Sequence, residues 1–181
     1  QTILAVESAV KNYGMTTFKV KVADANQDSL ESDQLRVQAV RKTLDRLGVD
    51  GKIRIDVNGQ WKLNQAIPAI QILDEAAGGL DYVEQPCESV SELIDLKNEM
   101  QNWNQQVQIA VDESLRMSSD VDIEAIQEAA DILVVKAIPL GGVQRALDLV
   151  NEIGLPAVVS GSLDTSVGLS SGIALAASIP H

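Results

Sequence analysis

"FKVKVAD", residues 18–24, sets two lysines one residue apart inside an otherwise apolar, β-branched run. Side chains alternate across a strand, so Lys19 and Lys21 share one face while Phe18, Val20 and Val22 take the other. Alone, the pattern fits a half-buried antiparallel strand with its lysines in water. The rest of the chain changes that reading. Five more runs of strand length follow: "IRIDV" (53–57), "DYVE" (81–84), "QIAVD" (108–112), "DILVVK" (131–136) and "PAVVS" (156–160). Between them lie stretches of helical period. Leu35, Ala39, Val40, Leu44 and Leu47 form a stripe before Gly48; Ile67, Ile70, Leu73 and Ala77 form one before Gly78 and Gly79. Val143, Ala146, Leu147 and Val150 precede Gly154, and Ser89 with Glu92 has the form of a capping box. Strict strand–helix alternation predicts an α/β fold, a parallel sheet covered by helices with right-handed crossovers. A doubly wound sheet that binds a nucleotide announces it with glycines after the first strand, and "VADANQD" (22–28) has none. A (β/α) barrel instead collects its chemistry at the C-terminal ends of many strands.

The charges decide for the barrel. Successive strands end in Lys21, Asp56, Glu84, Asp112 and Lys136, and the sixth runs into Ser160 and Gly161. An aspartate after a strand is often only the N-cap of the next helix, which serves for Asp56 or Asp112 singly. In parallel βα units, however, all strand ends meet on one rim, where three carboxylates would repel one another without a cation. An all-oxygen donor set favours Mg²⁺ over Zn²⁺. Lys21, nearest the rim, is the expected base, with Lys19 as the neighbour that tunes and positions it. Burial beside a cation and a second amine is expected to lower such a lysine's pKa. With Lys136 arriving from across the ring, the set suits proton abstraction α to a carboxylate, the metal stabilising the enediolate.

Composition narrows the partners. The 181 residues carry a formal net charge of −12, with no basic patch interleaved with aromatics, which argues against nucleic acid. The longest apolar runs are too short to span a bilayer, so no membrane partner is expected. Cys87 is the only cysteine and excludes an internal disulfide; a reducing, cytoplasmic setting is the expectation. Cys87 reads as a small buried side chain, and Trp61 and Trp103 as packing or surface residues. His181 is the only histidine, so no histidine triad or zinc site can be built.

"KVK" (19–21), "DVN" (56–58), "EQP" (84–86), "DES" (112–114) and Lys136, in this order, resemble the enolase superfamily, in its muconate-cycloisomerase-like branch. "AGGLDYVEQPC" (77–87), "KAIPLGGVQRALDL" (136–149) and "VSGSLDTSVGLSSGIALAA" (159–177) are similar to the o-succinylbenzoate synthases, the actinobacterial form especially. The resemblance implies a TIM-like barrel and a Mg²⁺ ion held by Asp56, Glu84 and Asp112. It implies that Lys21 is the acid/base supported by Lys19, and that Lys136 stabilises charge on the opposite face. Ser160 and Gly161 would lie near the substrate's succinyl carboxylate. The substrate would be a small-molecule carboxylate that loses water to form o-succinylbenzoate, a step of menaquinone biosynthesis. N-succinylamino-acid racemases and dipeptide epimerases share these positions and stay open as alternatives, as does a non-catalytic metal-binding scaffold. Nothing here corresponds to the superfamily's N-terminal capping domain, and "FKVKV" aligns as the second barrel strand. Residues 1–181 are therefore expected to form one partial catalytic barrel domain, about strands two to seven, of a barrel that needs about 250 residues.

Overall fold

The computed structural model describes residues 1–24, 29–103, 107–116 and 121–179. Helix α1 (Thr2–Tyr13) leads into β1 (Thr17–Lys21), and the chain then alternates through α2 (Leu30–Arg46), β2 (Lys52–Asp56), α3 (Leu63–Ala77), β3 (Tyr82–Glu84) and α4 (Val90–Met100). It continues through β4 (Gln108–Val111), the single turn α5 (Glu113–Arg116), α6 (Ile123–Ala129), β5 (Ile132–Val135), α7 (Val143–Ile153), β6 (Ala157–Val159) and α8 (Ser166–Ser178). All five strand pairings are parallel, and spatial order equals chain order. A doubly wound sheet reverses direction at a switch point; this one never does. The six strands form a curled half-barrel of the TIM type.

The two faces of the sheet are chemically distinct. Ile53, Ile55, Val83, Ile109, Val111, Leu133 and Val135 are buried outward against the helices in the main core. The alternate residues face the concave side, where Tyr82, Ala110, Ile132 and Val134 form a second apolar cluster with Val158 against it. Near the N-terminal end of the strands, Arg54 lies 4.6 Å over the Tyr82 ring, and Arg54 and Lys52 both bond Asp81, at 2.7 and 3.0 Å.

Helix ends follow the glycine signals. Gly78 and Gly154 are left-handed C-caps at the ends of α3 and α7, and Val143 to Ile153 is helical throughout. Two local expectations are corrected. In α2 the buried stripe is Asp33, Val37, Val40 and Leu44, at steps of four and three, whereas Leu35 is 61% exposed because two residues' rotation from Val37 carries it to the opposite side. Ser89 does cap α4 by accepting from Glu92 N at 3.3 Å, but its hydroxyl also donates to the Glu92 carboxylate, so Glu92 does not return a bond to the backbone of Ser89. Trp61 is core, and Trp103 packs partly buried against it.

Candidate functional site at the C-terminal rim

Register fixes the rim. Lys21 pairs with Asp56, and Asp56 with Glu84, so the three stand side by side at the C-terminal ends of β1, β2 and β3. Glu84 pairs with Ala110, which sets Asp112 two residues farther along on the same face. Lys136 follows β5 directly, and extending the pairing of Val135 with Val159 by one residue brings Ser160 beside it. Ser160 is held by its backbone N–H on Val135 O at 2.9 Å, and Gly161 is exposed.

The charges divide into two groups. Lys19, one pleat deeper than Lys21, donates to Glu84 Oε2 at 2.7 Å and to Asp56 Oδ2 at 3.1 Å. Lys21 Nζ lies 3.9 Å from the same Asp56 oxygen, with its side chain 59% exposed. In the second group Lys136 donates to Asp112 Oδ2, and Arg116 Nε to Asp112 Oδ1 at 3.3 Å. The end of β1 is pinned from α2: Arg36 donates to Lys21 O and Asp33 accepts from Ala23 N, both at 2.8 Å.

Glu84 is fully buried, and burial pushes its pKa up, reinforced by the charges of Asp56 and Asp112 and opposed by Lys19. For Lys19, burial presses the pKa down, but the hydrogen bond and charge of Glu84 and the charge of Asp56 outweigh it and the pKa is raised. The neighbours of Lys19 within the protein are anions, which favour its charged form; the expected depression supposes a bound cation beside it. Asp56 and Asp112 do not serve as helix caps: their described side-chain partners are the lysines, Arg116 and Asn58 N.

Among the described residues no three His, Cys, Asp or Glu side chains stand together as a group that could hold a metal ion. The three rim carboxylates line one face, but ammonium groups are drawn between them. Their chemistry nonetheless fits a hard cation. All are oxygen donors, and Glu84 Oε1 is buried without a hydrogen-bond partner among the described residues. Lys19 holds Asp56 Oδ2 and Glu84 Oε2, so a cation shared by the two carboxylates would meet its ammonium at those oxygens.

Three further participants were given no role from sequence, although Asn58 and Gln85 fall within the quoted "DVN" and "EQP". Gln85 is buried, bonding Asp112 and Ser114. Arg116 stands four residues after Asp112 on the turn α5, a helical spacing that signals such a pair. Asn58 donates to Glu113 Oε1 at 3.0 Å. Cys87 is fully buried, with burial pushing its thiol up to about 12.

Parallel strands in sequential order with charged residues gathered at their C-terminal ends define a (β/α)-barrel protein. The chain belongs to the enolase C-terminal domain-like family, whose family model matches residues 2–181. Among its relatives, an o-succinylbenzoate synthase of Thermobifida fusca is 48% identical over 172 residues, covering 95% of this chain and 51% of that protein. One of Mycolicibacterium smegmatis is 43% identical, over 93% of this chain and 48% of the relative. In structure, the L-Ala-D/L-Glu epimerase of Bacillus subtilis superposes with a TM-score of 0.77 at 26% identity, over 98% of this chain and 47% of that one. The chain thus spans about half the length of the proteins it matches. Enzymes of the superfamily generally use a divalent metal. No helix among the described residues is long and apolar enough to cross a membrane.

Proposed function

We propose that this domain is the catalytic barrel of an o-succinylbenzoate synthase, a lyase that dehydrates 2-succinyl-6-hydroxy-2,4-cyclohexadiene-1-carboxylate. The observation that carries the reading is the 48% identity to a relative of that name across 95% of the chain. The geometry supplies suitable groups: amines at Lys21 and Lys136 on well-separated strands, with carboxylates on the strands between.

In this reading Lys21, as the neutral amine, takes the α-proton, and the electron pair passes into the ring-conjugated carboxylate. The same lysine returns that proton to the departing hydroxyl, so one water leaves and the ring becomes aromatic. Lys136 stays protonated and stabilises the developing negative charge from the other side. Asp56, Glu84 and Asp112 are the residues that would hold Mg²⁺, which when bound supplies positive charge to the substrate carboxylate. Lys19 positions Lys21 and offsets the carboxylates. Ser160 and Gly161, beside Lys136, would face the succinyl arm.

The epimerase likeness supports a second reading, in which Lys21 and Lys136 are two bases acting on opposite faces of an amino-acid derivative. The full-length protein assayed with both substrate classes separates the two. Rapid dehydration, abolished by Lys21→Ala with Mg²⁺ binding retained, supports the synthase. Efficient racemisation with negligible dehydration would sink it.

A further inference from the structure

Gln85 follows Glu84 directly, and every hydrogen-bonding position of its side chain is used. Its Oε1 accepts from the backbone N–H of Asp112 at 3.1 Å and of Ser114 at 3.2 Å. Its Nε2 donates to Ser114 Oγ at 2.7 Å and to Cys87 O at 3.0 Å. The two donor contacts fix which end of the amide faces Asp112. The backbone is engaged as well: Gln85 N donates to Ala110 O at 2.8 Å, and Gln85 O accepts from Gly59 N at 2.7 Å. One fully buried residue thereby ties together the segments after β2, β3 and β4. It does so at φ +40, a left-handed conformation that is costly for a residue with a Cβ.

Asp112 and Ser114 open the turn α5, where free N–H groups call for an acceptor. An aspartate at this position ordinarily supplies it from its own side chain. Here Gln85 supplies it from the neighbouring strand, and both Asp112 carboxylate oxygens are left for Lys136 and Arg116 on the rim.

We infer that Gln85 is a positioning residue: by capping α5 in place of Asp112, it keeps the Asp112 carboxylate turned to the rim and available to a divalent cation. Without it, the Asp112 side chain turns back to cap its own helical turn. The inference rests on the assignment of Asp112 as a cation ligand in the proposed function. The test is titration calorimetry of the full-length protein with Mg²⁺ alone, without substrate. Loss of a partner that orients a ligand costs about 10–100-fold in metal affinity, and Gln85→Leu should fall in that range. Combined with Asp112→Asn, it should have no further effect, because the ligand it positions is already gone; a merely structural role would weaken both backgrounds alike. Ser114→Ala, which removes one contact orienting the amide, should weaken binding about threefold, again only while Asp112 is present. That variant carries the test if Gln85→Leu does not fold. Unchanged Mg²⁺ affinity in the folded variants, or equal losses in the Asp112→Asn background, overturns the inference alone. Undiminished binding in Asp112→Asn itself overturns the ligand assignment, and the inference with it.

Discussion

Lys19 is the residue whose removal says most about this rim. Its ammonium joins Asp56 and Glu84, and Glu84 is fully buried with its second oxygen unpartnered among the described residues. Lys19→Met keeps the length of the stem and deletes the charge. The two carboxylates then face one another without that cation, beside Asp112. Removing one partner of a buried ion pair costs about 3–5 kcal/mol. The Lys19 side chain is 35% exposed, so screening by solvent reduces this to about 2–3 kcal/mol. At about 2 °C per kcal/mol for a chain of roughly 200 residues or more, the metal-free protein should melt about 4–6 °C lower.

Mg²⁺ should narrow the gap. In the parent a cation entering between Asp56 and Glu84 competes with an ammonium; in Lys19→Met it meets bare carboxylates. Its stabilisation, about 2.7 kcal/mol at a hundredfold excess over Kd, should therefore be reached at lower Mg²⁺ in the variant. Scanning calorimetry of the full-length protein, with and without Mg²⁺, reads both effects. A metal-free melting temperature equal to the parent's would refute the view that Lys19 balances the carboxylates. A smaller Mg²⁺-induced rise in the variant would refute the view that ammonium and cation compete for the same oxygens.

Three further outcomes follow from residues away from the rim chemistry. At Asp81, burial alone would raise the pKa, but the hydrogen bonds and charges of Lys52 and Arg54 hold it below its usual value. A depressed folded-state pKa contributes stability above the unfolded value of about 3.9 and loses it as pH falls through the folded value. The melting difference between parent and Asp81→Asn should thus be steady near neutrality and shrink in acid; a difference that grows on acidification would contradict the pairing. Cys87, buried with its thiol pushed up to about 12, should react with a thiol reagent only as the protein unfolds, so rapid labelling of the native protein would place it elsewhere. A Cβ on Gly51 would lie 2.8 Å from Thr16 O and 2.9 Å from Leu44 Cδ1, where β1 and β2 begin to pair. Gly51→Ala should cost about 1–3 kcal/mol, read as a lower urea midpoint at unchanged slope.

The sheet was legible because two periodicities in the sequence agree with one architecture. The lysines of "FKVKV" lie on the concave face since a strand alternates, and Asp56, Glu84 and Asp112 reach the rim since each ends or follows a strand. What the sequence does not carry is how charges partner once they meet there. Lys19 is a pleat below Lys21, yet its long stem lets it take both carboxylates, which raises its pKa while no cation stands beside it. Gln85 was hidden for a different reason. Its part depends on a positive φ and on a neighbouring strand 27 residues away, and neither leaves a local pattern. Leu35 shows a third limit: a leucine beside a helical stripe counts as part of it until rotation is measured against Val37.

The two ends of the strands are built on opposite terms. At the N-terminal end Asp81 is met by two cations, and Arg54 is matched by a carboxylate and an aromatic face, so local demands are satisfied. At the C-terminal end Ala23, Asn58 and Gln85, following β1, β2 and β3, all take positive φ. The buried side-chain atoms left unpartnered among the described residues, Asn58 Oδ1, Glu84 Oε1 and Glu113 Oε2, lie on or just after β2, β3 and β4. All three are acceptors. A defect of packing would strand donors and acceptors alike, whereas a surplus of acceptors is what a site for positive charge leaves behind. Water could satisfy them singly, but it would not relieve the repulsion by Asp56 and Asp112 that adds to burial in raising Glu84. A cation would do both, so the orphaned oxygens and the raised carboxylate are what the proposed cation site would account for together.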